Sequence, residues 1–406
     1  MSGVFNAPTL PAVAGGLCMQ HQAKGPPMNE AATSARLPES GPPASEPIYI
    51  TWQGSPWSLA WLGLFNFLLT LVTLGVYSFW GRTEVRKRLW SMIRINGEPL
   101  EYTGTGKELF LGFLVVFAIV ILPFILVITA AQIWLGPIFG ALALISFYIV
   151  IGYLFGVGLY RARRYRLSRT RWRGIRGTLV GSDWGYAWGY FWTGLVSIFT
   201  GGWLHPWRTN YLYRRMTNDM RFGDRPFKYD GKAGPLYPAF AMAWVGGIIA
   251  YIGIFAGIFG YMYLKGMMPM PQDDGTMSQP TPPGILDNLT MVGIVIAMVI
   301  LFSLFAGWYF ARVQNVLTAG TQYEGLRFVA NAKGPGMIWV FVSNYLLTVL
   351  TLGILKPVAD ARMINYLVDH MAADGILDLA AVAQSQAAME KRGEGLASAF
   401  DLDAIG

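Results

Sequence analysis

Long apolar stretches alternate with short polar ones along this chain, and the lengths of the apolar stretches set the first prediction. A helix rises about 1.5 Å per residue and a bilayer core is about 30 Å thick, so about 20 apolar residues suffice to cross it. Residues 109–131 and 134–160 meet this requirement, and no Asp, Glu, Lys or Arg lies between Leu109 and Tyr160. Residues 237–264 and 288–311 meet it as well. Their link, 265–287, is rich in Pro and Met and sets Lys265 against Asp273, Asp274 and Asp287. The pattern predicts two hairpins of spanning helices.

Three further apolar stretches, 57–80, 184–206 and 336–355, read as copies of one another. A shift of 127 positions carries Ala60-Trp61, Thr73, Gly75, Trp80, Arg94 and Tyr102 onto Ala187-Trp188, Thr200, Gly202, Trp207, Arg221 and Tyr229. A further shift of 151 carries Trp188, Thr200, Gly202 and Pro206 onto Trp339, Thr351, Gly353 and Pro357. Repetition at fixed offset over this many positions indicates internal duplication. Each copy has an extended leader (47–53, 174–180, 325–331), the apolar segment, a basic or polar helix, and a turn at Asn96-Gly97, Gly223-Asp224 or Asp374-Gly375. Asn-Gly and Asp-Gly suit tight hairpin turns, and strand-like runs flank the first two turns. The expected fold class is an all-α polytopic membrane protein with three internal repeats, each with a small β-hairpin at the cytoplasmic surface. Four helices span, and the three repeat segments are either re-entrant or spanning. The expected organisation is a disordered tail over 1–45, repeat 1 over 46–108, a transmembrane hairpin over 109–160, repeat 2 over 161–236, a second hairpin over 237–311, repeat 3 over 312–379 and a C-terminal tail over 380–406.

Charge distinguishes the two topologies. If all three repeat segments span, the basic loops 82–107 and 208–232 fall on opposite faces, against the tendency of short basic loops to stay cytoplasmic. If each segment enters and leaves on one face, all the basic loops are cytoplasmic and the acidic link is outside. Re-entrant backbone then has to be buried in protein or wetted. The Gly breaks at 73–75 and 200–202 are where such helices would end. The chain leans to the re-entrant arrangement.

Composition agrees with a membrane address. Of the 406 residues, 54% are hydrophobic and only 13% charged, against about 25% charged in soluble domains. The net charge of +8 would suggest nucleic acid in a soluble protein, but here the arginines flank apolar stretches, so no nucleic-acid partner is expected. Cys18 is the only cysteine, which excludes an intramolecular disulfide. Met28 is an alternative start.

Residues 68–80 with the basic helix 82–90, the runs Arg94-Ile95-Asn96-Gly97, 100–108 and 168–176, and Gly393-Glu394-Gly395-Leu396 resemble the YjgN-like family of bacterial inner-membrane proteins. The resemblance covers about 46–406, implies a multi-pass inner-membrane protein, and supplies no catalytic residue.

Two groups of residues are candidate sites. Asn66, Thr70, Thr73, Asn344, Thr348 and Thr351 are polar positions inside apolar segments. They either line a pore or bond between helices, the commoner use of such residues. Arg161, Arg163, Arg164, Arg166, Arg169, Arg171, Arg173 and Arg176 form the densest basic run. They either hold anionic lipid headgroups or only signal topology. His205 and His370 are far apart and have no metal-ligand spacing. No nucleotide-binding, nucleophile or zinc motif occurs, so no enzyme activity, cofactor or metal is expected. The functional expectations are a transporter or channel for an unidentified solute or, alternatively, a non-catalytic protein that organises the membrane or binds anionic lipid.

Overall fold

The computed structural model describes residues 46–271, 277–377 and 382. The expected tails over 1–45 and 380–406, apart from Val382, lie outside the described residues, as do Asp273 and Asp274.

The strands organise the molecule. In chain order they are β1 (Glu46–Pro47 and Ile50–Trp52), β2 (Ile93–Ile95), β3 (Glu98–Pro99 and Glu101–Tyr102), β4 (Thr170–Trp172), β5 (Ile175–Leu179), β6 (Met220–Phe222), β7 (Arg225–Tyr229), β8 (Thr321–Tyr323), β9 (Leu326–Ala330) and β10 (Met371–Asp374 and Ile376–Leu377). Each pairs antiparallel with the next. The series then closes, because Glu46 and Pro47 face Leu377 and Ile376. Among the described residues the result is one closed ring of ten strands.

This corrects the expectation of an all-α chain carrying three separate small hairpins. The chain is mostly helical, but its strands form a continuous eight-stranded sheet, β3 to β10, extended through β3 to β2 and β1. Tight turns at Asn96-Gly97 and Gly223-Asp224 join paired strands, and so do Arg173-Gly174 and Glu324-Gly325, which the sequence pattern does not single out. At Asp374-Gly375 the chain makes no hairpin. The segment before it pairs with β9 and the segment after it pairs with β1.

Alternation along short strands puts every second side chain inside the ring. Ile48, Trp172, Tyr323, Leu326 and Leu377 are buried there, with Ile95, Phe222 and Phe227 packed against them. The ring is filled by apolar side chains.

Five helical hairpins connect the strands. They are α1 (Ala60–Val72) with α2 (Ser78–Met92), α3 (Gly106–Leu135) with α4 (Pro137–Arg169), α5 (Asp183–Phe199) with α6 (His205–Asn218), α7 (Tyr237–Leu264) with α8 (Ile285–Ala319), and α9 (Gly334–Leu350) with α10 (Lys356–Asp369). In each case the strand entering the hairpin is paired with the strand leaving it. Trp52 faces Ile93, Tyr102 faces Thr170, Leu179 faces Met220, Tyr229 faces Thr321 and Ala330 faces Met371. All five hairpins therefore leave and return at one rim, and the tight turns lie at the other.

α3, α4, α7 and α8 are long and apolar enough to cross a membrane. α3 contains π-helical turns at Phe117–Ile121 and Ala131–Leu135, the first just before Pro123, whose ring removes a backbone donor. The other three hairpins are shorter and carry exposed apolar tips, where Leu74, Phe199 and Leu352 are more than 80% exposed.

Neighbouring hairpins pack side by side. A β-carbon on Gly156 of α4 would lie 2.8 Å from Ala187 Cα of α5, and one on Gly307 of α8 would lie 2.9 Å from Ile338 of α9. Gly63 of α1 meets the Ile354 carbonyl and Pro357 beside α10. Leu59, Leu89, Val358 and Ala361 bury the seam between the first and last hairpins.

Candidate functional site

The tips of the three short hairpins share one construction. A threonine hydroxyl donates to the carbonyl four residues back and accepts an N–H from four residues on. Thr73 bridges Leu69 O (2.7 Å) and Tyr77 N (2.9 Å). Thr200 bridges Val196 O (3.1 Å) and Leu204 N (3.4 Å), and Thr351 bridges Leu347 O (2.7 Å) and Leu355 N (3.2 Å). The turn that follows needs left-handed backbone, supplied by Leu74-Gly75, Gly201-Gly202 and Leu352-Gly353. Glycine adopts such angles readily, whereas leucine does so only under constraint.

Behind the tips, asparagines tie two of the hairpins together. Asn66 Nδ2 donates across the seam to Gly81 O (3.3 Å), and Asn344 Nδ2 donates to Ala359 O (2.8 Å). Both Oδ1 atoms are buried without a partner. Thr348 donates to Asn344 O within its own helix (2.7 Å). Thr70 is half-buried on α1, and its carbonyl accepts from Gly75 N (2.7 Å).

The arginine run 161–176 divides between helix and strand. On α4, Arg161 pairs with Asp183 (2.5 Å) and Arg164 donates to Leu179 O and Gly181 O. Arg169 pairs with Glu108 (2.6 Å), which also accepts from the Tyr165 hydroxyl. Arg166 is buried, and the Nε of Arg163 is buried without a partner. These contacts bind α4 to α3 and to the entry of α5. Burial works against ionisation of Asp183, but the Arg161 guanidinium outweighs it and holds the carboxyl below its usual range. On the ring, Arg171 stands directly opposite Arg176, and Arg173 lies over the Trp172 ring while pairing with Glu98 (3.1 Å).

The α5–α6 seam is built differently from the other two. At the offsets of 127 and 151 residues that align the three short hairpins, Thr193 stands where the others have Asn66 and Asn344, and Arg208 stands where they have Gly81 and Ala359. Thr193 turns its hydroxyl onto Gly189 O (2.6 Å). Arg208 lies over the Tyr190 ring (4.3 Å) with Nη2 on Tyr190 O (3.4 Å), and its Nε is buried without a partner. Two helix turns on, Arg215 donates to the Tyr211 hydroxyl (3.3 Å). Glycines on α5 make room for these side chains. A β-carbon at Gly189 would lie 2.9 Å from the Tyr211 hydroxyl, and one at Gly185 would lie 3.4 Å from Arg215 Nη2. Sequence reasoning passed over Arg208, although a charged residue at an otherwise small repeat position was a usable signal.

Of the two histidines outside the tail, His205 stacks on Phe240 at the α6 tip, and His370 Nδ1 donates to Tyr366 O at the end of α10 (2.8 Å).

Residues 49–399 match the family described as bacterial protein of unknown function, DUF898. The chain belongs to this family. It is similar to the inner membrane protein YjgN of Salmonella typhimurium LT2, 23% identical over 350 residues that cover 78% of this chain and 85% of the relative. It is also similar to YjgN of Escherichia coli O157:H7, 27% identical over 111 residues that cover 27% of this chain and 26% of the relative. No solved structure matches. With the four long apolar helices, these relatives place the protein in the inner membrane as a multi-pass protein.

Proposed function

We propose that this family member is a non-catalytic membrane-organising protein that holds anionic phospholipid at the cytoplasmic face. The common rim carries the reading. Because every helical hairpin leaves and returns to the same edge of the ring, the apolar tips all point one way and the basic ring and helix bases stay on the other side.

Helix length gives the depth. About 20 residues of α4, from Pro137 to near Val157, fill the ~30 Å core, which leaves the ring about 20 Å above the hydrocarbon. A 17-residue helix such as α5 is about 25 Å long. Its tip then dips about 5 Å into one leaflet, as interfacial helices do. The three tandem copies are, on this reading, three re-entrant wedges around two spanning hairpins. The stacked Trp188 and Trp192, both more than half exposed, sit at the height of an aromatic belt.

Solute transport is the second reading, on the strength of the tandem repeats. It would need a polar path past Asn66 and Asn344, whose Nδ2 groups donate inside their own hairpins, and the ring beyond them is packed with apolar side chains.

Two measurements test the proposal. In a Cys18→Ser background, single cysteines at Glu101, Lys228 and Met277, all exposed, are challenged with an impermeant thiol reagent on intact cells. Only position 277 should label; labelling at 228 overturns the shared face. Purified protein should also prefer phosphatidylglycerol to phosphatidylcholine, with the preference lost near 1 M salt, where the Debye length is about 3 Å. Solute flux through proteoliposomes without that preference would favour transport.

A further inference from the structure

The geometry points to a phospholipid phosphate site in the second short hairpin, centred on Arg208. The inference rests on the lipid-binding reading and deepens it by naming the group that binds and the place.

Three observations converge on this residue. First, the other short hairpins close their seams with an asparagine amide on the carbonyl of a small residue, Gly81 or Ala359. Here a guanidinium occupies the small residue's place, so the seam is opened around a charge. Second, that charge is unanswered. Its Nε is buried without a partner, its Nη2 makes only a long contact to Tyr190 O (3.4 Å), and no carboxylate among the described residues is within ion-pair reach. Arg208 is half-buried, and a guanidinium with an unspent donor on its buried side is costly unless an anion completes it. An arginine fork suits phosphate oxygens in particular. Third, the depth is right. Arg208 packs between Tyr190 and Gly194, about 10–17 Å below the ring and therefore about 3–10 Å above the hydrocarbon boundary. That is the zone of the lipid phosphates.

Tyr190 lies under the guanidinium and keeps it in place. The exposed Trp203 and Trp207 at the tip offer apolar surface where acyl chains would begin. Arg215, two turns toward the ring and held by Tyr211, adds a second positive charge on the same face of α6, about 10 Å along the axis. The phosphate could also be a free ion, and the test separates the two sources.

Full-length protein in neutral detergent is titrated with phosphatidylglycerol, and bound lipid is counted by native mass spectrometry. Four proteins are compared: wild type, Arg208→Ala, Arg208→Lys and the surface control Arg88→Ala. Arg208→Ala places on α6 the small residue that the third hairpin carries at Ala359. The first bound lipid should be weakened at least tenfold in Arg208→Ala. It should fall between wild type and Arg208→Ala in Arg208→Lys, because the positive charge is kept while the planar fork and its stacking on Tyr190 are lost, and be unchanged in Arg88→Ala. Equal binding by wild type and Arg208→Ala overturns this site and leaves the broader reading standing. Failure of the wild type to bind phosphatidylglycerol at all overturns both. Inorganic phosphate that displaces the lipid at equal concentration reassigns the site to a free anion and overturns the lipid assignment.

Discussion

Trp172 gives the sharpest test of the ring's filled interior. It is 4% exposed, stands opposite Ile175 on β5 and lies 5.9 Å from the Phe222 ring. A tryptophan buries about 150–250 Å², which at about 25 cal/mol per Å² amounts to about 4–6 kcal/mol of transfer free energy. Alanine keeps a small part of this and leaves a cavity, so Trp172→Ala should cost about 3–5 kcal/mol. The indole Nε1 is buried without a partner, and an unmade hydrogen bond of that kind costs about 1–3 kcal/mol. Trp172→Phe removes that penalty along with some apolar area, so it should fall within about 1 kcal/mol of wild type. The assay is thermal unfolding of the purified protein in detergent. At about 2–4 °C per kcal/mol, and somewhat less for a chain this long, Trp172→Ala should melt at least about 5 °C lower and Trp172→Phe close to wild type. The pair matters more than either variant. Equal melting temperatures for the two variants would refute the packed interior, because a solvated ring would not distinguish a ring-sized side chain from a methyl group.

Two further outcomes follow from local geometry. Gly156→Leu should lower the melting temperature by several degrees and expose α5 to protease, because its β-carbon meets the Ala187 backbone at 2.8 Å. Gly247→Leu, which has open space around it, should do neither. The Arg161–Asp183 pair should make the α5 entry acid-sensitive. The Asp183 carboxyl is held below the usual carboxylate range by the Arg161 guanidinium, so its stabilising contribution is present above about pH 4 and is lost as pH falls through the lowered folded value. Asp183→Asn should be less stable near neutrality and show less of this acid-dependent loss in a melting series, and an unchanged pH profile would refute the pairing.

The spanning hairpins are legible in the sequence because membrane length is a local property. Residues 109–131 and 237–264 announce themselves by apolar length alone. The ring is not legible in the same way. Its strands are two to five residues long, too short for an alternating pattern to stand out, and its closure pairs Glu46 with Leu377, a contact that no local signal encodes. Asn96-Gly97 reads as a tight turn because both residues accept positive φ, whereas Arg173-Gly174 and Glu324-Gly325 adopt the same backbone with a residue that disfavours it. There the surrounding pairings override the local preference. The polar positions inside the apolar segments fall between these cases. The sequence locates Asn66 and Asn344 and leaves two uses open, a path or a tie. The fold supplies the missing distance, because each amide reaches a carbonyl of its own hairpin. Once that tie is recognised, the second short hairpin stands out for lacking it. Two of the short hairpins are tied by an asparagine amide and the other carries an arginine in that seam, so the odd hairpin is where a function of its own should be sought.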